Sequence, residues 1–144
     1  MGLIEKIRID IRKAVKNKQR RRGEILRYLI SLLQNEEIRL AEKFNEQAAL
    51  SVFQKEMKRK REALAIFKRV KRKDLVADQK EEIKILSEYL PKMMTRGEIE
   101  TLVKEIIKKE KTLDFGRIMG KMMATVKGKA DGKLVAMVVG EILK

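Results

Sequence analysis

The feature that most constrains the fold is a glycine-punctuated stretch near the C-terminus, residues 114–133, which reads DFGRIMGKMMATVKGKADGK. Asp114 precedes a segment in which apolar residues recur at helical spacing, and a side-chain oxygen at that position can cap a helix. Gly128 interrupts the segment, and Asp131 is placed to cap a last helix over residues 132–143. The stretch therefore predicts two helices joined by a tight turn. The residues expected on the buried face of the first helix are Phe115, Ile118, Met119, Met122 and Val126.

Two glycines inside the first of these helices, Gly116 and Gly120, lie four residues apart. This spacing places them on one face of the helix, where the missing side chains would let a neighbouring helix approach closely. We therefore expect the structural residues of this region to be Gly116, Gly120, Gly128, Asp131 and Gly132.

The remainder of the chain is also typical of helices. Its 144 residues include one proline and no tryptophan, and Lys, Arg, Glu, Ile, Leu and Ala are abundant. The apolar pattern predicts helices over about residues 3–18 and 24–41. Asn45 is placed to cap a third helix and Asp74 to cap a fourth.

Pro91 marks a boundary, because the residue before a proline is disfavoured in helical geometry. Thr95 and Glu98 then have the spacing of a capping box and open a fifth helix. We expect an all-α protein with two domains. A four-helix, bundle-like N-terminal domain would occupy residues 1–90, and a small three-helix C-terminal domain would occupy residues 91–144.

The formal net charge of +15 favours polyanionic partners, nucleic acid in particular. The same lysine-rich composition also suits a heat-adapted protein with surface ion networks. One cationic cluster, residues 16–23, holds five basic side chains and ends in a glycine. It is expected to be an exposed connection between helices, either simply solvated or in contact with phosphate.

A second cationic cluster follows the third helix. Basic residues recur along one line of that helix, beside the seam expected to be buried, and this basic ridge consists of Lys58, Arg61, Lys68 and Arg72. Almost no aromatic side chains interleave with it, so a nucleic acid would be held through its phosphates and recognised by shape. The alternative is an ordinary solvated face, partly neutralised by Glu56 and Glu62.

The residue types needed for most enzyme chemistry are missing. With no histidine and no cysteine, the usual nucleophile–base pairs, disulfides and N/S metal sites cannot be assembled. Adjacent carboxylates such as Glu36 and Glu37 point to different parts of a helix surface. We therefore expect no catalytic residues, no metal site and no cofactor.

The C-terminal motif resembles the signature of the GatB/YqeY family, which comprises small YqeY-like proteins and the tail of the B subunit of glutamyl-tRNA(Gln)/aspartyl-tRNA(Asn) amidotransferase. SLLQNEEI at residues 31–38, Asp74-Leu75 and EYLP at residues 88–91 support the resemblance, which spans essentially the whole chain. The chain departs from the family at Ala124, where a proline is usual. In the amidotransferase, a carbon–nitrogen ligase with glutamine as amido donor, the chemistry resides outside the tail, and the tail helps to hold tRNA.

The resemblance implies a non-catalytic module that binds tRNA or another structured RNA. In the C-terminal domain the contacts would come from Arg117, Lys121, Lys127, Lys129 and Lys133, while Asp131 would cap the turn that presents the lysines. The alternative is an adaptor that docks onto an amidotransferase or an aminoacyl-tRNA synthetase through an apolar surface, which would consist of Gly116, Met119, Gly120, Met122 and Met123. The sequence shows no signal peptide or membrane span, so no membrane partner and a cytoplasmic location are expected.

Overall fold

The computed structural model describes residues 2–144. This part of the chain contains no strand, and the predicted all-α fold is confirmed. The helices are α1 (Leu3–Lys16), α2 (Arg20–Leu40), α3 (Glu46–Arg69), α4 (Lys73–Ser87), α5 (Arg96–Glu110), α6 (Phe115–Val126) and α7 (Gly132–Ile142), with a short 3-10 helix at Ala41–Lys43. The described helices include none with both the length and the apolar character needed to cross a membrane.

The chain divides into two compact units, Met1–Leu90 and Pro91–Lys144. In the first unit α2 occupies the centre, since it packs against α1, α3 and α4. Its apolar residues are dense enough to cover several neighbours at once. The core of this unit contains fully buried side chains from all four helices, namely Ile7, Leu26, Leu29, Leu33, Phe53 and Leu86.

Tyr89, just after α4, fastens the end of that helix to α1. Its hydroxyl donates a 2.5 Å hydrogen bond to Asp10, and its ring meets Phe53 edge-on with centroids 6.3 Å apart. The ammonium of Lys6 lies 5.3 Å from the ring centroid. Burial, and then the bond to Asp10, raise the pKa of the Tyr89 hydroxyl. The Tyr89 hydroxyl therefore stays protonated and remains the donor of the hydrogen bond to Asp10 on α1.

The connection between α1 and α2 is shorter than the sequence predicts. Residues 20–23 were expected in an exposed loop, but α2 begins at Arg20 and Gly23 is buried within its first turns. A Cβ at Gly23 would lie 3.9 Å from the Cβ of Ala14 on α1. Gly23 thus marks the close packing of two helices, which the local pattern could not reveal because Ala14 belongs to the preceding helix.

The start of α4 also differs from expectation. Arg72 is the N-cap residue and makes no side-chain cap hydrogen bond, whereas Asp74 lies inside the first turn. The Asp74 carboxylate accepts hydrogen bonds of 3.2 and 3.0 Å from the guanidinium of Arg72. Asp74 is therefore not the predicted cap, because α4 already begins at Lys73 and Asp74 is the second residue of the helix.

In the second unit α5, α6 and α7 each pack against the other two. Thr95 and Glu98 form the predicted capping box at the start of α5. Asp114 accepts from the N–H of Arg117 at the start of α6. The core comprises Ile99, Val103, Ile118, Met122, Val126, Val135, Val138 and Val139, all nearly or fully inaccessible to solvent.

Two expectations about α6 are wrong. Gly116 and Gly120 lie on the exposed side of the helix, and no atom comes within 4 Å of a Cβ placed at Gly120. Phe115 was expected in the core but is 46% exposed. The buried stripe is narrower than its apolar composition suggests and is centred on Ile118, Met122 and Val126, the face that packs within the unit against α5 and α7.

We predict that Gly23→Ala stabilises the first unit by about 0.5–1 kcal/mol, because the added methyl group meets Ala14 at an ordinary van der Waals distance and removes a helical glycine. Gly23→Leu should instead destabilise it by about 1–3 kcal/mol through overpacking against α1. Urea denaturation followed by circular dichroism measures both. Stabilisation by leucine would contradict the close helix packing.

Candidate nucleic-acid interface

The turn between α6 and α7 is built from an unusual backbone. Lys127, the residue after α6, adopts a left-handed conformation with φ 37°, and Gly128 follows with φ 82°. The N–H of Lys129 then donates a 2.8 Å hydrogen bond to the carbonyl of Val126. Two successive left-handed residues reverse the chain sharply, and a glycine tolerates this geometry better than any other residue. Lys127 thus takes the terminating position that the sequence suggested for Gly128.

Contacts with other parts of the second unit hold this turn in place. The N–H of Met94, in the segment before α5, donates a 2.7 Å hydrogen bond to the carbonyl of Lys129. Ala130 is 93% buried, since only 7% of its surface is exposed, and Asp131 accepts from the N–H of Lys133 as N-cap of α7. Hydrogen bonds therefore connect the backbone of the turn both to the segment before α5 and to the start of α7.

The turn presents three cations to solvent. Lys127, Lys129 and Lys133 are all exposed, and none forms an ion pair within residues 2–144. The capping carboxylate of Asp131 faces the start of α7, where it satisfies a backbone donor. Within seven consecutive residues, three exposed ammonium groups thus lie beyond ion-pair distance of any described carboxylate.

Two further residues proposed for this surface are already engaged. Lys121 Nζ lies 3.2 Å and Arg117 3.8 Å from the carboxylate of Glu110, at the end of α5. Glu110 is far more enclosed than its two partners. Part of the charge on Arg117 and Lys121 is therefore compensated inside the unit, and these residues offer less to a polyanion than the lysines of the turn.

On α3 the structure separates the members of the predicted basic ridge. Lys58, Arg61 and Lys68 are exposed and form no ion pair among the described residues. Arg72 lies beyond the end of α3, and its hydrogen bonds to Asp74 raise the pKa of the guanidinium and lower that of the carboxyl group. The ridge is thus a three-residue feature of α3, with Arg72 in a local pair beside it.

Lys60 lies between the ridge residues Lys58 and Arg61 in the sequence, but its side chain points inward, and only 6% of its surface is exposed. Its ammonium lies 3.7 Å from Glu56 and 3.6 Å from Glu82 of α4, and 5.2 Å from the ring centroid of Tyr28. The Tyr28 hydroxyl donates a hydrogen bond to Glu56. Burial, and to a smaller extent the Glu56 carboxylate, raises the pKa of the Tyr28 hydroxyl. The four-residue spacing of Glu56 and Lys60 hinted at a pair, but only the packing of α4 supplies Glu82.

The cationic cluster at residues 16–23 is largely neutralised as well. Arg20 pairs with Glu24, Arg21 lies 3.8 Å from Glu81, and Arg22 donates a 2.8 Å hydrogen bond to Glu88. The latter two contacts join the start of α2 to α4 and its C-terminal end. Three of the five basic side chains of the cluster thus have carboxylate partners, while Lys16 and Lys18 form no ion pair among the described residues, and the phosphate contact stays a prediction.

We predict that Lys60→Met destabilises the first unit by about 3 kcal/mol, because it leaves Glu56 and Glu82 facing each other without the buried ammonium. Lys58→Met is the matched control, since it removes the same charge from an exposed position of the same helix. It should change the free energy of unfolding by no more than about 0.5 kcal/mol. Equal effects in urea denaturation would mean that Lys60 lies in solvent.

Comparison with known proteins connects this geometry to a family. Two relatives share the name "Altered inheritance of mitochondria protein 41, mitochondrial". The one from Pyrenophora tritici-repentis is 25% identical over 146 residues, which cover 98% of this chain and 81% of the relative. The one from Kluyveromyces lactis is 29% identical over 127 residues, which cover 83% of this chain and 68% of the relative. Both names place those proteins in mitochondria, so the cytoplasmic location expected here stays a prediction.

The match to the family described as YqeY-like protein extends over residues 4–143, nearly the full chain and both of its helical units. The chain belongs to the YqeY-like protein family.

Proposed function

We propose that this protein is a non-catalytic module that binds tRNA or another structured RNA, with the α6–α7 turn as the principal contact. The observation that carries the proposal is the ordered turn with three uncompensated lysines, Lys127, Lys129 and Lys133. A backbone already fixed by its caps and by the bond to Met94 loses little entropy when a ligand binds. The exposed ridge on α3 adds electrostatic attraction from the first unit.

The chemistry of the turn supports contact with the RNA backbone. Lysine ammonium groups bind phosphate as point charges and carry no sequence information. Phe115 is the one aromatic residue of the second unit and lies outside the turn, so stacking on bases there is not available. The expected mode is recognition of a folded RNA by the spacing of its phosphates.

Titration of tRNA against the protein at several salt concentrations tests the proposal. If about five phosphates are neutralised, log K should fall against log salt with a slope of about −4. Replacement of Lys127, Lys129 and Lys133 by alanine should flatten that slope by about 2 to 3 units, because three ammonium–phosphate contacts are lost.

A matched triple variant controls for net charge. Lys104, Lys108 and Lys109 are exposed lysines of α5 in the same unit, and none of them forms an ion pair within residues 2–144. Their replacement by alanine should change the slope by less than about 1 unit. Absence of measurable tRNA affinity at low salt, or equal losses in the two triple variants, would contradict the proposal.

An apolar patch favours a second candidate function, an adaptor for an amidotransferase or an aminoacyl-tRNA synthetase. Leu113 and Phe115, at the start of α6, are 73% and 46% exposed, and Met123 further along the helix is 41% exposed. Leu113 and Phe115 are two residues apart in the chain, and exposed large apolar side chains that form a patch often mark a protein contact. Met122, by contrast, is fully buried and belongs to the core, so the surface differs from the methionine cluster expected from the sequence.

The adaptor is tested with purified amidotransferase and synthetase after nuclease treatment of every component. Leu113→Ser with Phe115→Ser should weaken binding at least about tenfold, since loss of two apolar anchors costs more than 1.4 kcal/mol. Ile38→Ser, at a 79% exposed apolar position of the first unit, is the control and should have no effect. Binding that disappears with the RNA would refute the adaptor.

A further inference from the structure

A lysine-rimmed pocket lies in the first unit, where α3 turns into α4. It has a volume of about 420 Å³ and is lined by Lys68, Lys71, Lys73, Val76, Ala77 and Lys80. It is an open recess, since Val76 is half-buried and the other lining residues are exposed, so a ligand would lie against it with one side in solvent. Of these residues, only Lys68 belongs to the basic ridge predicted from the sequence.

The lining combines two kinds of surface. Val76, which is half-buried, and Ala77, which is exposed, supply a small apolar floor, and the aliphatic stems of the four lysines can add apolar surface around it. The four ammonium groups are free to remain in solvent around that floor. A ligand that fits this lining has a flat, weakly polar body and carries negative charge.

The lysines have no carboxylate partner because the neighbouring acids on α4 are paired with arginines, one at the N-cap of α4 and one on α2. Asp74 is held by Arg72, while Asp78 and Glu81 lie 4.0 and 3.8 Å from Arg21 of α2. Lys68, Lys71, Lys73 and Lys80 form no ion pair within residues 2–144. The electropositive character of the pocket is therefore produced by the tertiary pairing of its surroundings.

The backbone of the turn is fixed in a strained conformation that places a lysine at the pocket. Lys71 is left-handed, with φ 58°, and its N–H bonds to the carbonyl of Lys68 at 3.2 Å. Arg72 N–H bonds to the carbonyl of Phe67 at 3.0 Å, which closes the end of α3. A glycine would adopt this conformation at lower cost, yet the position carries a charged side chain.

We propose that this pocket binds a nucleoside 5′-phosphate, with the base on Val76 and Ala77 and the phosphate among the four lysines. The nucleotide can be free or part of an RNA chain, since both present the same chemistry. The RNA source rests on the proposed function, whereas the free nucleotide does not. Stacking against aliphatic surface and pairing with ammonium groups both tolerate any base, so no base preference is expected.

The experiment follows backbone amide resonances of the full chain in titrations with 5′-AMP, adenosine and inorganic phosphate at pH 7.5. At that pH AMP and phosphate are both mostly dianions. A difference between their affinities therefore reports the contribution of the nucleoside part of AMP. We expect AMP to shift the amides of Lys71, Val76 and Ala77 and to bind at least five times more tightly than phosphate or adenosine. Equal affinity for AMP and phosphate would overturn the nucleotide assignment.

Two quadruple variants separate the pocket from general charge. The first replaces Lys68, Lys71, Lys73 and Lys80 by glutamine and should reduce AMP affinity at least tenfold. The control replaces four exposed lysines of the same unit by glutamine, and like the first set it includes one left-handed residue: Lys13, Lys16, Lys18 and Lys43. It should leave AMP affinity within twofold. Equal losses would overturn the proposal, and circular dichroism confirms that both variants fold.

Three further arms identify the source of the ligand. A 5′-phosphorylated RNA trinucleotide that binds at least tenfold more tightly than AMP supports a site for RNA, and equal affinity supports a free nucleotide. Binding of tRNA that the first quadruple variant leaves unchanged, together with an absence of AMP shifts, overturns the pocket and leaves the α6–α7 proposal standing. AMP binding in the absence of any tRNA binding overturns the α6–α7 proposal and leaves the pocket as a site for free nucleotide. Lysine-dependent binding to phosphatidylserine vesicles without AMP shifts would also overturn the proposal.

Discussion

Charge pairing in this protein follows a division between arginine and lysine, and both candidate interfaces depend on it. Arginines hold most of the carboxylates that form ion pairs, among them Glu81, Glu88 and Glu141. Within residues 2–144 the lysines that form an ion pair are Lys60 and Lys121. A guanidinium matches a carboxylate through a planar fork of donors, whereas an ammonium is a strongly hydrated point charge. The large positive charge of the chain is therefore concentrated on lysines that face solvent.

The helix ends determine where these free lysines are presented. Lys18, Lys71, Lys111 and Lys127 are all left-handed residues at or just beyond the end of a helix, where glycine is the usual residue. Each costs about 1 kcal/mol or more relative to glycine, yet a cation there interacts favourably with the helix dipole. Two of the four, Lys71 and Lys127, lie at the proposed phosphate sites. At these positions the residue that ends a helix also exposes an ammonium group. The same side chain would therefore affect both the stability of the helix end and the proposed binding of phosphate.

Each unit has its own core and its own proposed site, so the two sites can be tested separately. The turn with Lys127 is anchored to the segment before α5, and the pocket with Lys71 is anchored by α4 and by the arginines that hold the acids of α4. Neither site contains an aromatic side chain among its lining residues. Both are therefore suited to phosphate and to surfaces of low base selectivity. This is what a module that recognises folded RNA by its backbone requires.

Several elements could be predicted from the sequence because the interactions that form them are local. Asn45, Thr95, Asp114 and Asp131 cap helices through backbone donors two or three residues away, and the helical period of the apolar residues is a property of a short window. The all-α class and the family followed from the same local motifs. The start of α2 and the capping of α4 could not be read in this way. Gly23 packs against Ala14 of α1, and α4 begins at Lys73, one residue before the acid that was expected to cap it.

By itself, the sequence determined the set of helices, most of their caps and the excess of positive charge, since these depend on neighbours along the chain. The tertiary structure alone decided which cations remain free. Lys60 became buried because α4 brought Glu82 to it, and Gly120 became exposed because α6 turns its Ile118–Met122–Val126 stripe, and not its glycines, toward the core of its unit. Lys68, Lys71, Lys73 and Lys80 came to line one pocket only when α4 folded back on α3. The physical reason is that burial and ion pairing are set by distances in space between residues far apart in sequence.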